Sequence, residues 1–243
     1  MPYAVVTRAP EDLALYASLL AELGLEAIAM PVTRTEPPRD ARALARALGH
    51  GFSAILCASA RAARALADAR GEVPLPEVWA IGPATARVLA AAGIGSIVPP
   101  HARDGASLAR ALIEARPDVR RVLVPRAEDG REDAIEILRG AGIAVEAIDS
   151  YRTVAVDPGD PALARGRDAL AAGAAVVCVF APSQVRALDR IAPLRGIDAW
   201  FVAIGETTAI ALRAAGIAEV AVAESPTPEG MARAVAAVYS PAS

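Results

Sequence analysis

The 243-residue chain carries 25 basic and 28 acidic residues and is 54% hydrophobic, with aromatics at only 4%. Every basic residue is arginine, which excludes a Schiff-base lysine, a pyridoxal-phosphate anchor and a Walker phosphate loop in their usual forms. The net charge of −3 lends no support to nucleic-acid binding, and no basic stripe interleaved with aromatics is present.

Short apolar runs alternate with helical patterns along the whole chain, which predicts parallel α/β architecture. In chain order, strands are predicted at 3–7, 26–30, 53–58, 78–81 and 96–98, then at 121–125, 145–149, 176–181, 201–204 and 220–223. Between the first two strands, Leu13, Tyr16, Leu19, Leu20 and Leu23 form one apolar stripe, and Gly24 is placed to end that helix. Pro83 occupies a first-turn position and Gly93 closes the helix after it. In the last helix Thr227 is the expected N-cap, Pro228 takes the first turn, and Met231, Val235 and Val238 face inward.

The sequence repeats itself. Val5-Val6-Thr7-Arg8-Ala9 returns as Leu123-Val124-Pro125-Arg126-Ala127, and Ala80-Ile81-Gly82 returns as Ala203-Ile204-Gly205. The offset of about 120 residues is too long for a solenoid unit and fits a small domain. Each copy supplies five strands, the content of a flavodoxin-like doubly wound sheet. Each also breaks after its second strand into a stretch rich in Pro and Asp, at 31–39 and 151–161, and both stretches begin extended. Two topologies remain open: each copy is its own domain, or the chain crosses over after strand two, builds a second domain and returns. Two similar lobes imply a cleft between them, where function is expected.

Histidine occurs only at His50 and His101, without metal-ligand spacing, so no metal site is expected. No Ser-His-Asp arrangement with a nucleophile elbow is present either. Cys57 and Cys178 lie in apolar runs and read as buried reduced thiols, which favours the cytoplasm. No apolar stretch reaches the ~18 residues of a membrane span, and no signal peptide is expected, because the chain opens directly on an apolar strand and Arg8.

The remaining chemistry falls to Arg, Tyr, Ser, Thr, acids and backbone amides. In doubly wound sheets, ligands bind beyond the strand carboxyl ends, where helix starts present free amides. Four such turns stand out: Ala58-Ser59-Ala60, Ala181-Pro182-Ser183, Gly82-Pro83-Ala84-Thr85 and Gly205-Glu206-Thr207-Thr208. The glycines let a ligand approach the backbone, while the hydroxyls serve either a ligand or the helix cap. Arg8 and Arg126 end the first strand of each copy, placed either to clamp carboxylates or to pair with Glu11 and Glu128 at the surface. Tyr151, off any helix stripe, either donates a hydrogen bond into a cleft or packs where linker strands meet.

Taken in order, Val6-Thr7-Arg8, Ile81-Gly82 with Thr85-Ala86, Asp149-Ser150-Tyr151-Arg152-Thr153, Phe180-Ala181-Pro182-Ser183, Ile204-Gly205 with Thr208-Ala209, and Ala223-Glu224-Ser225-Pro226-Thr227-Pro228 resemble the uroporphyrinogen-III synthase family. The resemblance implies two flavodoxin-like domains related by internal duplication, in the crossed-over topology and joined by a two-stranded β linker. Residues 1–31 plus 157–243 would form one domain, 38–149 the other, and 32–37 with 150–156 the linker strands. It implies a cytoplasmic, cofactor-independent lyase of tetrapyrrole biosynthesis, with a monomer expected and neither nucleic acid nor membrane as partner. The family closes the linear tetrapyrrole hydroxymethylbilane to uroporphyrinogen III, expelling water and inverting the last pyrrole ring, by the usual proposal through a spirocyclic intermediate. By resemblance, Tyr151 assists departure of the hydroxyl. Arg8, Ser59, Gly82, Thr85, Arg126, Ser183, Gly205 and Thr208 are the expected substrate contacts. The family commonly has Thr or Ser where this chain has Ala58 and Ala181; backbone amides then carry more of the binding, and each single hydroxyl less. The competing reading is a non-catalytic bilobed protein that binds or senses an anionic small molecule such as a tetrapyrrole.

Overall fold

The computed structural model describes residues 1–239. The chain divides into two compact units: unit 1 takes residues 1–34 and the chain from Val154 onward, and unit 2 takes Thr35–Thr153. The first stretch runs β1 (Tyr3–Val6), α1 (Pro10–Glu22), β2 (Glu26–Ala29) and β3 (Thr33–Glu36). The middle stretch runs α2 (Ala43–Ala47), β4 (Ala54–Cys57), α3 (Ala60–Arg70), β5 (Glu77–Ala80), α4 (Gly82–Ala91) and α5 (Gly105–Ala115). It continues with β6 (Arg121–Ala127), α6 (Asp133–Gly140) and β7 (Ala144–Ala155). The last stretch gives α7 (Ala164–Ala171), β8 (Val176–Val179), α8 (Pro182–Ile191) and β9 (Trp200–Ala203). It ends with α9 (Glu206–Ala214), β10 (Val220–Val222) and α10 (Pro228–Val238).

Unit 1 holds a five-stranded sheet ordered β10-β9-β8-β1-β2, parallel throughout. Numbered within the sequence repeat, this is the 2-1-3-4-5 order of flavodoxin-like sheets. Strands one and two come from the first copy, and strands three to five from the second. The other sheet is ordered β3-β7-β6-β4-β5, with β7–β6, β6–β4 and β4–β5 parallel. Here the copies exchange roles: β6 and β7 of the second copy join β4 and β5 of the first. The pairing therefore selects the crossed topology.

The strand expected at 96–98 is reduced to a single bridge between Ile97 and Trp79. Ile97 donates to the Val78 carbonyl at 2.8 Å and accepts from the Ala80 amide at 2.9 Å. Pro99 and Pro100 follow, and with no N–H they cannot extend the ladder. By contrast, the run expected at 145–149 lengthens into the 12-residue β7, which carries on through Tyr151.

Both sheets are covered on both faces, which is why their central strands read as unbroken apolar runs. In unit 1, Val5, Val177 and Phe201 pack into one cluster and Ala4, Val6, Cys178 and Val202 into the opposite one. In unit 2, Leu56, Trp79 and Val124 lie beneath α5 and α6, while Ile55, Cys57 and Leu123 lie with Ala63, Leu66 and Leu89 of α3 and α4. Cys57 and Cys178 are free, fully buried thiols, and burial pushes both up to about 12. One glycine sets a packing distance: a Cβ on Gly166 of α7 would stand 2.4 Å from Met30 Cγ, so only glycine lets that helix sit against Met30.

Candidate active site

The carboxyl ends of β4 and β6 meet the middle of β7, around Tyr151, in unit 2. The chain leaves β4 at Cys57 and turns extended at Ser59, whose Oγ accepts the Ala62 N–H at 3.0 Å and so caps α3. That capping hydroxyl has a second partner. The Tyr151 phenol, delivered from β7, lies 3.2 Å from Ser59 Oγ. The two line a cavity of about 300 Å³ with Ile81, Pro125, Gly105 and Arg103. Gly105 begins α5, which is held by a capping box: Asp104 Oδ1 accepts the Ser107 N–H at 2.8 Å, and Ser107 Oγ accepts the Asp104 N–H at 3.0 Å. The Ser107 N–H and hydroxyl, both donating to Asp104, hold its carboxyl below the usual carboxylate range.

Arg126 also borders the cavity but is tied down. Its side chain is 15% exposed, pairs with Glu132, and lies 3.6 Å from Asp149. It donates as well to the carbonyls of Ala127 at 3.1 Å and Glu128 at 3.2 Å. The surface pairing considered for it, with the Glu128 carboxylate, is replaced by Glu132, because Glu128 pairs with Arg39 at 2.7 Å. Asp149 is pushed above the usual carboxylate range by desolvation, with Glu128, Asp129 and Glu132 adding to the shift and Arg126 opposing it.

The other expected residues are distributed as follows. Gly82 opens α4 with φ of +64°, a left-handed conformation that favours glycine. Gly205 precedes α9 in extended backbone, which any residue adopts. Thr85 and Thr208 are buried, each 3% exposed. Ser183 is the second residue of α8; the cap position is Ala181. Gln184, in the first turn, instead ties the preceding loop: its Oε1 accepts the Phe180 N–H at 2.9 Å and the Thr7 hydroxyl at 2.8 Å. Arg8 is held at the end of β1 by Asp12 at 3.0 Å, not Glu11, and by the Tyr16 hydroxyl at 3.3 Å. Its guanidinium lies 5.0 Å from the centre of the Phe180 ring.

Of the expected residues, then, Ser59, Arg126 and Tyr151 share one cavity. The sequence reading did not single out Asp104, Gln184 or Ser150. Asp104 left a signal in the Asp-x-x-Ser spacing of a capping box, and Ser150 stood only as a neighbour of Tyr151 in the motif around it. A larger groove of about 830 Å³, lined by Arg195, Trp200 and Tyr239, lies at the amino end of β8 and β9 and contains none of the expected residues.

A family model for uroporphyrinogen-III synthase HemD matches residues 14–233. The chain belongs to the uroporphyrinogen-III synthase family. Its activity is accordingly the cyclisation of hydroxymethylbilane to uroporphyrinogen III, a lyase step of tetrapyrrole biosynthesis with loss of water and inversion of the last ring. Among solved structures, a mutant uroporphyrinogen III synthase from Thermus thermophilus is 22% identical, with a TM-score of 0.60 over 98% of this chain and 100% of that one. A uroporphyrinogen-III synthetase from Helicobacter pylori is 16% identical, with a TM-score of 0.69 over 98% of this chain and 100% of that one. At these identities the structures speak to the fold, and they share this one. Among the described residues no helix is long and apolar enough to cross a membrane.

Proposed function

We propose that the unit-2 cavity receives the hydroxymethyl end of the substrate, and that Tyr151 is the group that assists loss of water. The observation that carries this is the Tyr151–Ser59 pair, 3.2 Å apart at a cavity lined mainly by small and apolar side chains. When the carbon–oxygen bond breaks, its electron pair stays on the departing oxygen. The Tyr151 phenol supplies the proton that turns this oxygen into water. Ser59 Oγ, already accepting the Ala62 N–H, turns its own proton toward the phenol oxygen and stabilises the charge that develops there. At about 300 Å³ the cavity is at the lower end of small-molecule sites, so it admits one end of the tetrapyrrole.

In each unit the helix-start amides are suited to carboxylate groups such as the substrate's acetates and propionates: near Ser59 and after Gly82 in unit 2, and after Gly205 and near Ser183 in unit 1. Arg8 and Arg126 favour anionic groups nearby while staying anchored to their own carboxylates. Thr85 and Thr208 support the turns from the buried side. Two buried free thiols suit a reducing compartment, and we place the enzyme in the cytoplasm as a cofactor-independent monomer acting on a small polycarboxylate, with neither nucleic acid nor membrane as partner. The test is Tyr151→Phe, assayed with freshly prepared hydroxymethylbilane. Turnover is expected to fall by about a hundredfold or more, the low side of general-acid effects. Unchanged turnover would reduce Tyr151 to a packing residue.

A further inference from the structure

Strands β6 and β7 run in step from Arg121 opposite Ala144 to Arg126 opposite Asp149, and then the step fails. Ala127 is paired with Tyr151, not with Ser150. Ser150 is therefore an extra residue, a β-bulge in a parallel pair, where bulges are rare. Side chains alternate between the faces of a strand, so in an unbroken ladder residue 150 would stand opposite Ala127. The inserted residue hands that place to Tyr151 and re-aims its phenol.

The bulge is held by a specific contact. Ser150 is only 6% exposed, and its hydroxyl donates to the Arg126 carbonyl at 3.0 Å, at the point where the ladder breaks. One residue later pairing resumes, with the Glu128 N–H donating to the Tyr151 carbonyl at 2.9 Å. Tyr151 is thus fixed between two contacts: its carbonyl on the Glu128 N–H just after β6, and its phenol on Ser59.

We propose that Ser150 is a positioning residue, whose hydroxyl locks the β6–β7 bulge and thereby sets the Tyr151 phenol at the reacting end of the cavity. This rests on the reading of Tyr151 given above. Without the hydroxyl the Arg126 carbonyl loses the Ser150 side-chain donor, and the bulge is free to slide toward the regular register, which turns Tyr151 away from Ser59. Misplacement by about 1 Å costs up to about a hundredfold in rate.

The test compares Ser150→Ala, Ser150→Cys, Ser150→Thr, Tyr151→Phe and the Ser150→Ala/Tyr151→Phe double variant, with hydroxymethylbilane as substrate and thermal unfolding as the folding control. In Ser150→Ala, kcat is expected to fall about ten- to hundredfold, with KM within about twofold because binding by backbone amides persists. Ser150→Thr keeps the donor and recovers kcat to within a few fold. Ser150→Cys, close in volume but a weak donor, falls between, and it carries the test if the alanine variant does not fold. The double variant is expected to be no slower than Tyr151→Phe alone, since both changes remove one function. Wild-type kcat in a folded Ser150→Ala or Ser150→Cys, or losses that multiply in the double variant, would overturn the assignment. If Tyr151→Phe is slow while Ser150→Ala is not, only the positioning role fails. If Tyr151→Phe itself is unimpaired, the catalytic reading fails.

Discussion

Ser59 does two jobs with one oxygen, and substitutions can separate them. Its Oγ accepts the Ala62 N–H at 3.0 Å as the α3 cap and lies 3.2 Å from the Tyr151 phenol. Ser59→Ala removes both contacts. Loss of the cap costs about 1 kcal/mol, a fall in Tm of about 2–4 °C for a chain of this size. Loss of a neutral hydrogen bond of about 0.5–1.5 kcal/mol to the phenol translates to about two- to tenfold in kcat. Ser59→Asp separates the two effects. Aspartate caps helices as well as serine, so Tm stays near wild type, but an ionised carboxylate has no proton to give the phenol oxygen. Activity is therefore expected to stay as low as in Ser59→Ala or lower, while stability returns. Thermal unfolding and steady-state cyclisation on the same preparations give both readouts. Full activity in a stable Ser59→Asp variant would show that Ser59 only caps α3, and the proposed stabilisation of the phenol would be wrong.

Three further outcomes follow from local geometry. Asp104→Ala breaks the capping box of α5 and is expected to cost about 1 kcal/mol near neutral pH. Because the folded carboxyl sits below its usual range, its contribution is present above the unfolded pKa of about 4 and lost as pH falls through the lower folded value; a gap between wild type and variant that persists undiminished into strong acid would contradict this. Gly82→Ala places a Cβ at φ of +64° and is expected to cost about 1–2 kcal/mol in denaturant unfolding. Gly205→Ala, at extended backbone, is expected to cost less, and equal losses at both sites would refute the assignment of strain to Gly82. Cys57 and Cys178 are fully buried, with thiols pushed up to about 12, so neither is expected to react with a disulfide reagent at pH 8 until the chain unfolds; rapid labelling of the native protein would contradict their burial.

The elements of this fold are written locally, but their assembly is not. Ala54–Cys57 and Val176–Val179 are buried at every position, so they read as continuous apolar strands between turn residues, and Gly24, Gly93 and Thr227 end or begin helices as their chemistry dictates. Strand order is different: nothing in Val5 says that it pairs with Val177 as well as Ile28, because such pairing is decided by whole-sheet packing. The same limit applies at the site. Tyr151 stands out as an aromatic off any helix stripe, but its partner Ser59 lies 92 positions away. The bulge at Ser150 is a matter of register against β6, invisible in β7 alone. Matching motifs even take different shapes, Gly82 left-handed and Gly205 extended. Thr85 and Thr208 are expected substrate contacts from the sequence, yet their side chains lie buried.

Family membership and the Tyr151–Ser59 cavity meet in one chemical outcome, the orientation of the last pyrrole ring. Freshly prepared hydroxymethylbilane incubated with the full chain, with the products oxidised and the isomers resolved, reads it directly. The expected product is the type III isomer, formed faster than spontaneous closure. Type I isomer alone, at the spontaneous rate, would contradict the assignment.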